Sequence, residues 1–104
     1  MLELTSNNKE ELKNKKLVFV DFWASWCGPC MVFSPTFQAV ALKYQDKAEF
    51  MKCDVDQEQD LAVEYGVMSI PSVLVYSYGK LVDKFVGLTN ENVFSSFVEK
   101  NLNR

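Results

Sequence analysis

Cys27 and Cys30, in the run Trp26-Cys27-Gly28-Pro29-Cys30, are the side chains best suited to covalent chemistry in this chain. An apolar run over residues 17–23 precedes them and a helical pattern follows, so the motif reads as a strand, a tight turn and a helix start. Cysteines spaced this way at the mouth of a helix can close a small disulfide ring. A thiolate there also feels the helix's unpaired N–H groups and the positive end of its dipole. Three readings compete. A structural zinc site needs about four N or S ligands, whereas the chain has no histidine and only one further cysteine, Cys53. A purely structural disulfide is poorly served by so short a loop, which constrains the unfolded chain little. Redox exchange suits the pair best.

Two other features bear on the pair. Asp21 lies within the apolar strand, where desolvation raises a carboxyl pKa toward the range useful for proton transfer near neutrality. The alternatives are a wetter local surface or neutralisation by Lys52, a lysine that otherwise reads as solvated. Ile70-Pro71 opens a later strand, and on the residues alone it is a rigid turn, since most X-Pro bonds in folded proteins are trans.

The surrounding pattern supplies the elements that position these groups. Residues 2–4 form a short edge strand, and Ser6 or Asn7 caps a polar helix to about residue 14, held to the core by Leu12. Residues 16–23 carry apolar side chains on both alternating faces, as a central strand covered on two sides does. A helix from the Cys27 turn to about residue 45 follows, with Phe33, Phe37, Val40, Ala41 and Tyr44 on one face. Pro35 lies inside it and should kink it. Residues 48–54 form a strand, and Asp56 with Gln59 resembles a capping box for a short helix to about Tyr65, ended by Gly66.

Strands over 72–77 and 80–86 flank Tyr78-Gly79, a two-residue hairpin link. Thr89 caps a last helix that packs through Val93, Phe94, Phe97, Val98 and Leu102. Strands joined by helices run parallel and the final hairpin is antiparallel, which predicts an α/β sandwich of three layers around a mixed sheet. The strand ending near Trp23 should be central, opening at Cys27.

The chain has 104 residues, 48% hydrophobic and 24% charged, with a net charge of -3. That fits one domain spanning residues 1–104. No repeat, linker or low-complexity tract divides it. Interspersed charges give neither the basic stripe that nucleic acid requires nor a membrane-surface cluster. The first residues lack the character of a secretory signal, no apolar run approaches the roughly 20 residues of a membrane span, and the cysteine count is odd. These features favour a reducing cytoplasmic compartment.

Asp21, Trp23, Trp26-Cys27-Gly28-Pro29-Cys30, Pro35, Asp54, Ile70-Pro71 and Gly87, in this order and spacing, resemble the thioredoxin family over essentially the whole chain. The resemblance implies a thioredoxin fold, a central mixed five-stranded sheet flanked by four helices, and a cis bond before Pro71. It implies reduction of protein disulfides by dithiol exchange: Cys27 attacks, Cys30 resolves the mixed disulfide, and Asp21 takes up the Cys30 proton through a water. Gly28 and Pro29 tune the turn. Trp26, Met68, Ile70, Pro71 and Gly87 form a client-binding rim, although Met68 alone reads equally well as ordinary loop packing and Trp23 reads as core. Stabilising a reduced thiolate makes a dithiol pair a stronger oxidant. Without a histidine between its cysteines the chain should be a reductant.

No cofactor is implied. The implied partners are disulfide-containing client proteins and an NADPH-dependent flavoprotein reductase, with the chain itself a monomer. An alternative is a thioredoxin-fold binding subunit that acts independently of its thiols. Met31 departs from the family pattern, where a cation is common, and predicts a modestly higher Cys27 pKa and an altered partner preference. Cys53 reads as a small buried hydrophobe rather than a regulatory thiol.

Overall fold

The computed structural model describes all residues from Met1 to Arg104. Its centre is strand β2 (Val18–Trp23), where every side chain but the last is buried. Apolar residues at consecutive positions fill both faces of a pleated strand, so such a segment is stable only with layers on each side. Around it lie β1 (Leu2–Glu3), β3 (Glu49–Asp54), β4 (Ser72–Ser77) and β5 (Lys80–Val86), in the order β1-β3-β2-β4-β5. β2 pairs with β3 in parallel and with β4 antiparallel, and β4 pairs antiparallel with β5. The expected mixed sheet, central strand and final hairpin are all present.

Four helices cover the sheet: a 3-10 helix (Lys9–Asn14), α1 (Gly28–Tyr44), α2 (Gln59–Glu64) and α3 (Glu91–Leu102). On one face Phe19, Phe50, Val73 and Val75 meet Phe33, Phe37 and Val40 of α1 and Phe94, Phe97 and Val98 of α3. The rings interlock, Phe19 stacking on Phe50 at 5.0 Å and Phe33 meeting Phe94 edge-on at 5.2 Å. On the other face Val18, Val20, Phe22, Met51 and Cys53 pack with Leu12 and Leu61. α1 continues through Pro35 to Tyr44, with Gln45 as its C-cap.

α1 starts at the Cys27 turn as expected, but the other three helix starts differ from the sequence expectation. Asn90, not Thr89, caps α3, its side chain accepting from the Val93 N–H at 2.9 Å. Val93 itself faces solvent, and Asn101 is buried where the apolar pattern had no candidate. The Asp56/Gln59 box does not form. Asp54 Oδ1 instead accepts from the backbone N–H groups of Asp56 and Gln57, making the turn from the strand side, and α2 begins after Glu58. Asn8 rather than Ser6 or Asn7 stands at the start of the 3-10 helix, and its side chain reaches back to Thr5 and Glu3. Side chains of Asn and Asp bond readily to nearby backbone, so several residues in a polar stretch compete for one cap.

The hairpin link is as the sequence predicts. Tyr78 and Gly79 take φ of 50° and 82°, the pair of positive values that matches strand twist.

Candidate active site

α1 begins where β2 delivers the chain to the end of the sheet. Cys27 is the N-cap residue, with extended backbone, and Pro29 lies in the first turn, where its missing N–H costs nothing. The Cys30 N–H points to Cys27 Sγ at 3.2 Å, a contact that favours negative charge on that sulfur. Cys27 and Cys30 form a disulfide, their Cα atoms 5.2 Å apart. Cys30 is buried, and Cys27 is only 5% exposed, less open than a helix edge suggests. Trp26, Gly28 and Pro29 around it are exposed.

Across from the pair, the peptide bond between Ile70 and Pro71 is cis. The Ile70 carbonyl oxygen lies 3.9 Å from Cys27 Sγ. Gly87, at φ 100°, donates its N–H to the Pro71 oxygen at 2.8 Å. A side chain at such a φ is strained, so glycine suits the position. Met68 is 97% exposed, which removes its alternative as ordinary loop packing. A groove of about 290 Å³ runs between Trp26, Val55, Ala62, Val67, Met68 and Ile70. The structure therefore brings Cys27, Cys30, Trp26, Met68, Ile70 and Pro71 to one end of the sheet.

Asp21 is fully buried on the sheet face that α1 covers, and neither carboxylate oxygen has a hydrogen-bond partner. Burial pushes its carboxyl pKa up to about 7, with Lys52 pulling the other way. Lys52 stands opposite Asp21 in the β2–β3 register but turns to Ser34 Oγ, 2.8 Å away. Trp23, half-buried, carries the Lys52 ammonium over its ring at 4.7 Å. Cys53 faces the opposite core, and burial, aided by Glu58, Glu3 and Asp54, pushes its thiol up to about 12. Met31 is exposed on α1.

Two partners of this region escaped the sequence reading, which took Asp56 only as a helix cap. Asp56 accepts the Trp26 indole N–H at 2.7 Å, and Ser34 holds Lys52. Neither carries a sequence signal, because each meets its partner only through the fold. No group of three or more His, Cys, Asp or Glu side chains is placed to hold a metal ion, and no helix is long and apolar enough to cross a membrane.

The arrangement fits a redox-active dithiol: two sulfurs within bonding reach, one of them beside an accessible carbonyl edge. The Thioredoxin family model matches residues 1–100. Thioredoxin from Chlorobaculum thiosulfatiphilum is 40% identical, the match covering 96% of this chain and 94% of that protein. Thioredoxin from Staphylococcus haemolyticus is 36% identical, covering 98% of each. The solved structure of Plasmodium falciparum thioredoxin superposes with a TM-score of 0.88 at 30% identity, covering 97% of this chain and 99% of that one. Sequence, fold and cysteine pair agree, and the chain belongs to the thioredoxin family of thiol–disulfide oxidoreductases.

Proposed function

We propose that residues 1–104 act as one domain that reduces client disulfides, with Cys27 as the attacking thiolate. The observation that carries this reading is the placement of Cys27 Sγ against the Ile70 carbonyl, with Cys30 buried behind it. An extended client segment pairs with the Ile70 backbone beside Pro71, in the manner of an added strand. Trp26, Met68 and Gly87 border its path, and Gly28 and Pro29 keep the turn compact.

The Cys27 thiolate attacks one client sulfur, forming a mixed disulfide and releasing the other client sulfur as a thiolate, which takes a proton from solvent. Asp21 then accepts the Cys30 proton through a water. The Cys30 thiolate attacks Cys27 Sγ, forming the Cys27–Cys30 bond and breaking the bond to the client, whose second sulfur leaves as a thiolate and takes a proton from solvent. The client gains two electrons and the dithiol loses two. An NADPH-dependent flavoprotein reductase returns them, making the chain an electron carrier that needs no bound cofactor. A monomer in the cytoplasm is the setting that a free Cys53 thiol suits, since such compartments keep thiols reduced.

Insulin-disulfide reduction, driven by dithiothreitol or by such a reductase, tests the reading. Wild type should accelerate the reaction and Cys27→Ser should not. An inactive wild type would sink it in favour of a binding subunit.

A further inference from the structure

Lys52 lies directly across the β2–β3 ladder from Asp21. Paired strands are about 4.8 Å apart, and directly opposed side chains leave the sheet on the same face, so a lysine here is long enough to place its ammonium on the carboxylate. It does not do so, and both Asp21 oxygens remain without a hydrogen-bond partner. The Lys52 ammonium instead donates to Ser34 Oγ at 2.8 Å and lies 4.7 Å from the centre of the Trp23 ring. A charge-assisted bond to a carboxylate is ordinarily the stronger choice. The ammonium's partners are instead the hydroxyl from α1 and the ring face.

The other groups facing Asp21 are few. β3 adds Asp54, whose Oδ1 is turned to the backbone of Asp56 and Gln57. β4 places Val73 opposite, α1 brings Ser34 to Lys52, and α3 offers Phe94, Phe97 and Val98 to this core. Burial raises the Asp21 pKa most, and Lys52 is the charge that opposes it.

We propose that Ser34 is a positioning residue, which holds the Lys52 ammonium over Trp23 and off Asp21 so that Asp21 stays basic enough to take the Cys30 proton. The inference rests on Asp21 as proton acceptor, the role given above. Freed from Ser34, the ammonium moves to the unpartnered carboxylate. An opposite charge at close range lowers a carboxyl's pKa, which weakens it as a base.

The test is an NMR titration of the Asp21 carboxyl carbon in the full-length oxidised protein, paired with the pH profile of mixed-disulfide resolution by Cys30. Ser34→Ala should lower the Asp21 midpoint by about one pH unit, and the resolution profile should follow it. Ser34→Thr should restore both. In a Lys52→Met background, Ser34→Ala should change neither. An unmoved midpoint in Ser34→Ala, or the same displacement with Lys52 absent, overturns the inference. Asp21→Asn probes the role beneath it: an unchanged resolution profile there removes Asp21 as acceptor, while the Ser34→Ala midpoint still reports where Lys52 goes.

Discussion

Trp26 donates its indole N–H to Asp56 at 2.7 Å, joining the residue before the first active-site cysteine to the turn that precedes α2. The bond fixes the orientation of a large ring that is 69% exposed and borders the groove beside Cys27. A client that packs on this ring then meets a surface already in place, which reduces the ordering cost of binding. Asp56→Ala should raise KM for a protein disulfide about threefold while leaving kcat near its wild-type value, because the bond positions the ring and touches no reacting atom. Steady-state insulin reduction reads this split, and a fall in kcat at constant KM would contradict it.

The depth difference between the two sulfurs predicts how the reaction can be stopped halfway. Cys30→Ser should accumulate a stable mixed disulfide through Cys27, visible by mass spectrometry as protein plus client, since the resolving thiolate is gone. Cys27→Ser should yield no adduct. Adducts through Cys30 in the second variant would reverse the assignment of roles.

Asp21 should make stability fall as pH rises. Its carboxyl is held up to about 7 in the folded chain, against 3.8 for the ordinary value. Between those values the unfolded chain gives up a proton that the folded chain keeps, so folding loses stability across that window and the full penalty is present above it. The size is roughly 4 kcal/mol, from about 1.4 kcal/mol for each pH unit. Asp21→Asn should therefore stabilise the protein by a few kcal/mol at pH 8 and change it little near pH 4. Urea denaturation of the oxidised protein at both pH values is the check, and an equal effect at both would refute the linkage.

Cys53 should be chemically silent while the chain is folded. It is fully buried and its thiol is pushed up to about 12, so the thiolate that alkylating reagents require is scarce. Iodoacetamide at pH 8 should leave Cys53 unmodified in the reduced native protein and label it in urea. Labelling at comparable rates in both conditions would show the strand to be open. Cys53→Ala should cost about 1 kcal/mol for the small cavity it leaves.

The frame of the fold was legible because it depends on local pattern. Residues 18–23 are apolar on both faces, which forces a central strand, and Tyr78-Gly79 between two alternating runs forces a hairpin. The cysteine pair declared itself through spacing at a strand-to-helix junction. Cap positions were less legible, since Thr89 and Asn90 are both competent and only geometry decides that Asn90 reaches the Val93 N–H. Least legible were the contacts that orient site side chains. Trp26 meets Asp56 across 30 residues and Lys52 meets Ser34 across 18, distances over which composition and periodicity carry no information. Asp21 was legible as a buried acid in an apolar run, whereas its lack of any partner depends on where Lys52 goes.

The alternation of side chains along β3 has a bearing on oxidative error. Lys52 faces the core under α1 and Cys53, one residue on, faces the opposite core. Three cysteines allow three intramolecular pairings in an unfolded chain. In the folded chain Cys53 is buried in the core against Leu61, whereas the pair lies in a separate cluster at the end of the sheet. The fold thus keeps the third thiol apart from the pair, and repeated cycles of oxidation and reduction return the chain to the same bond.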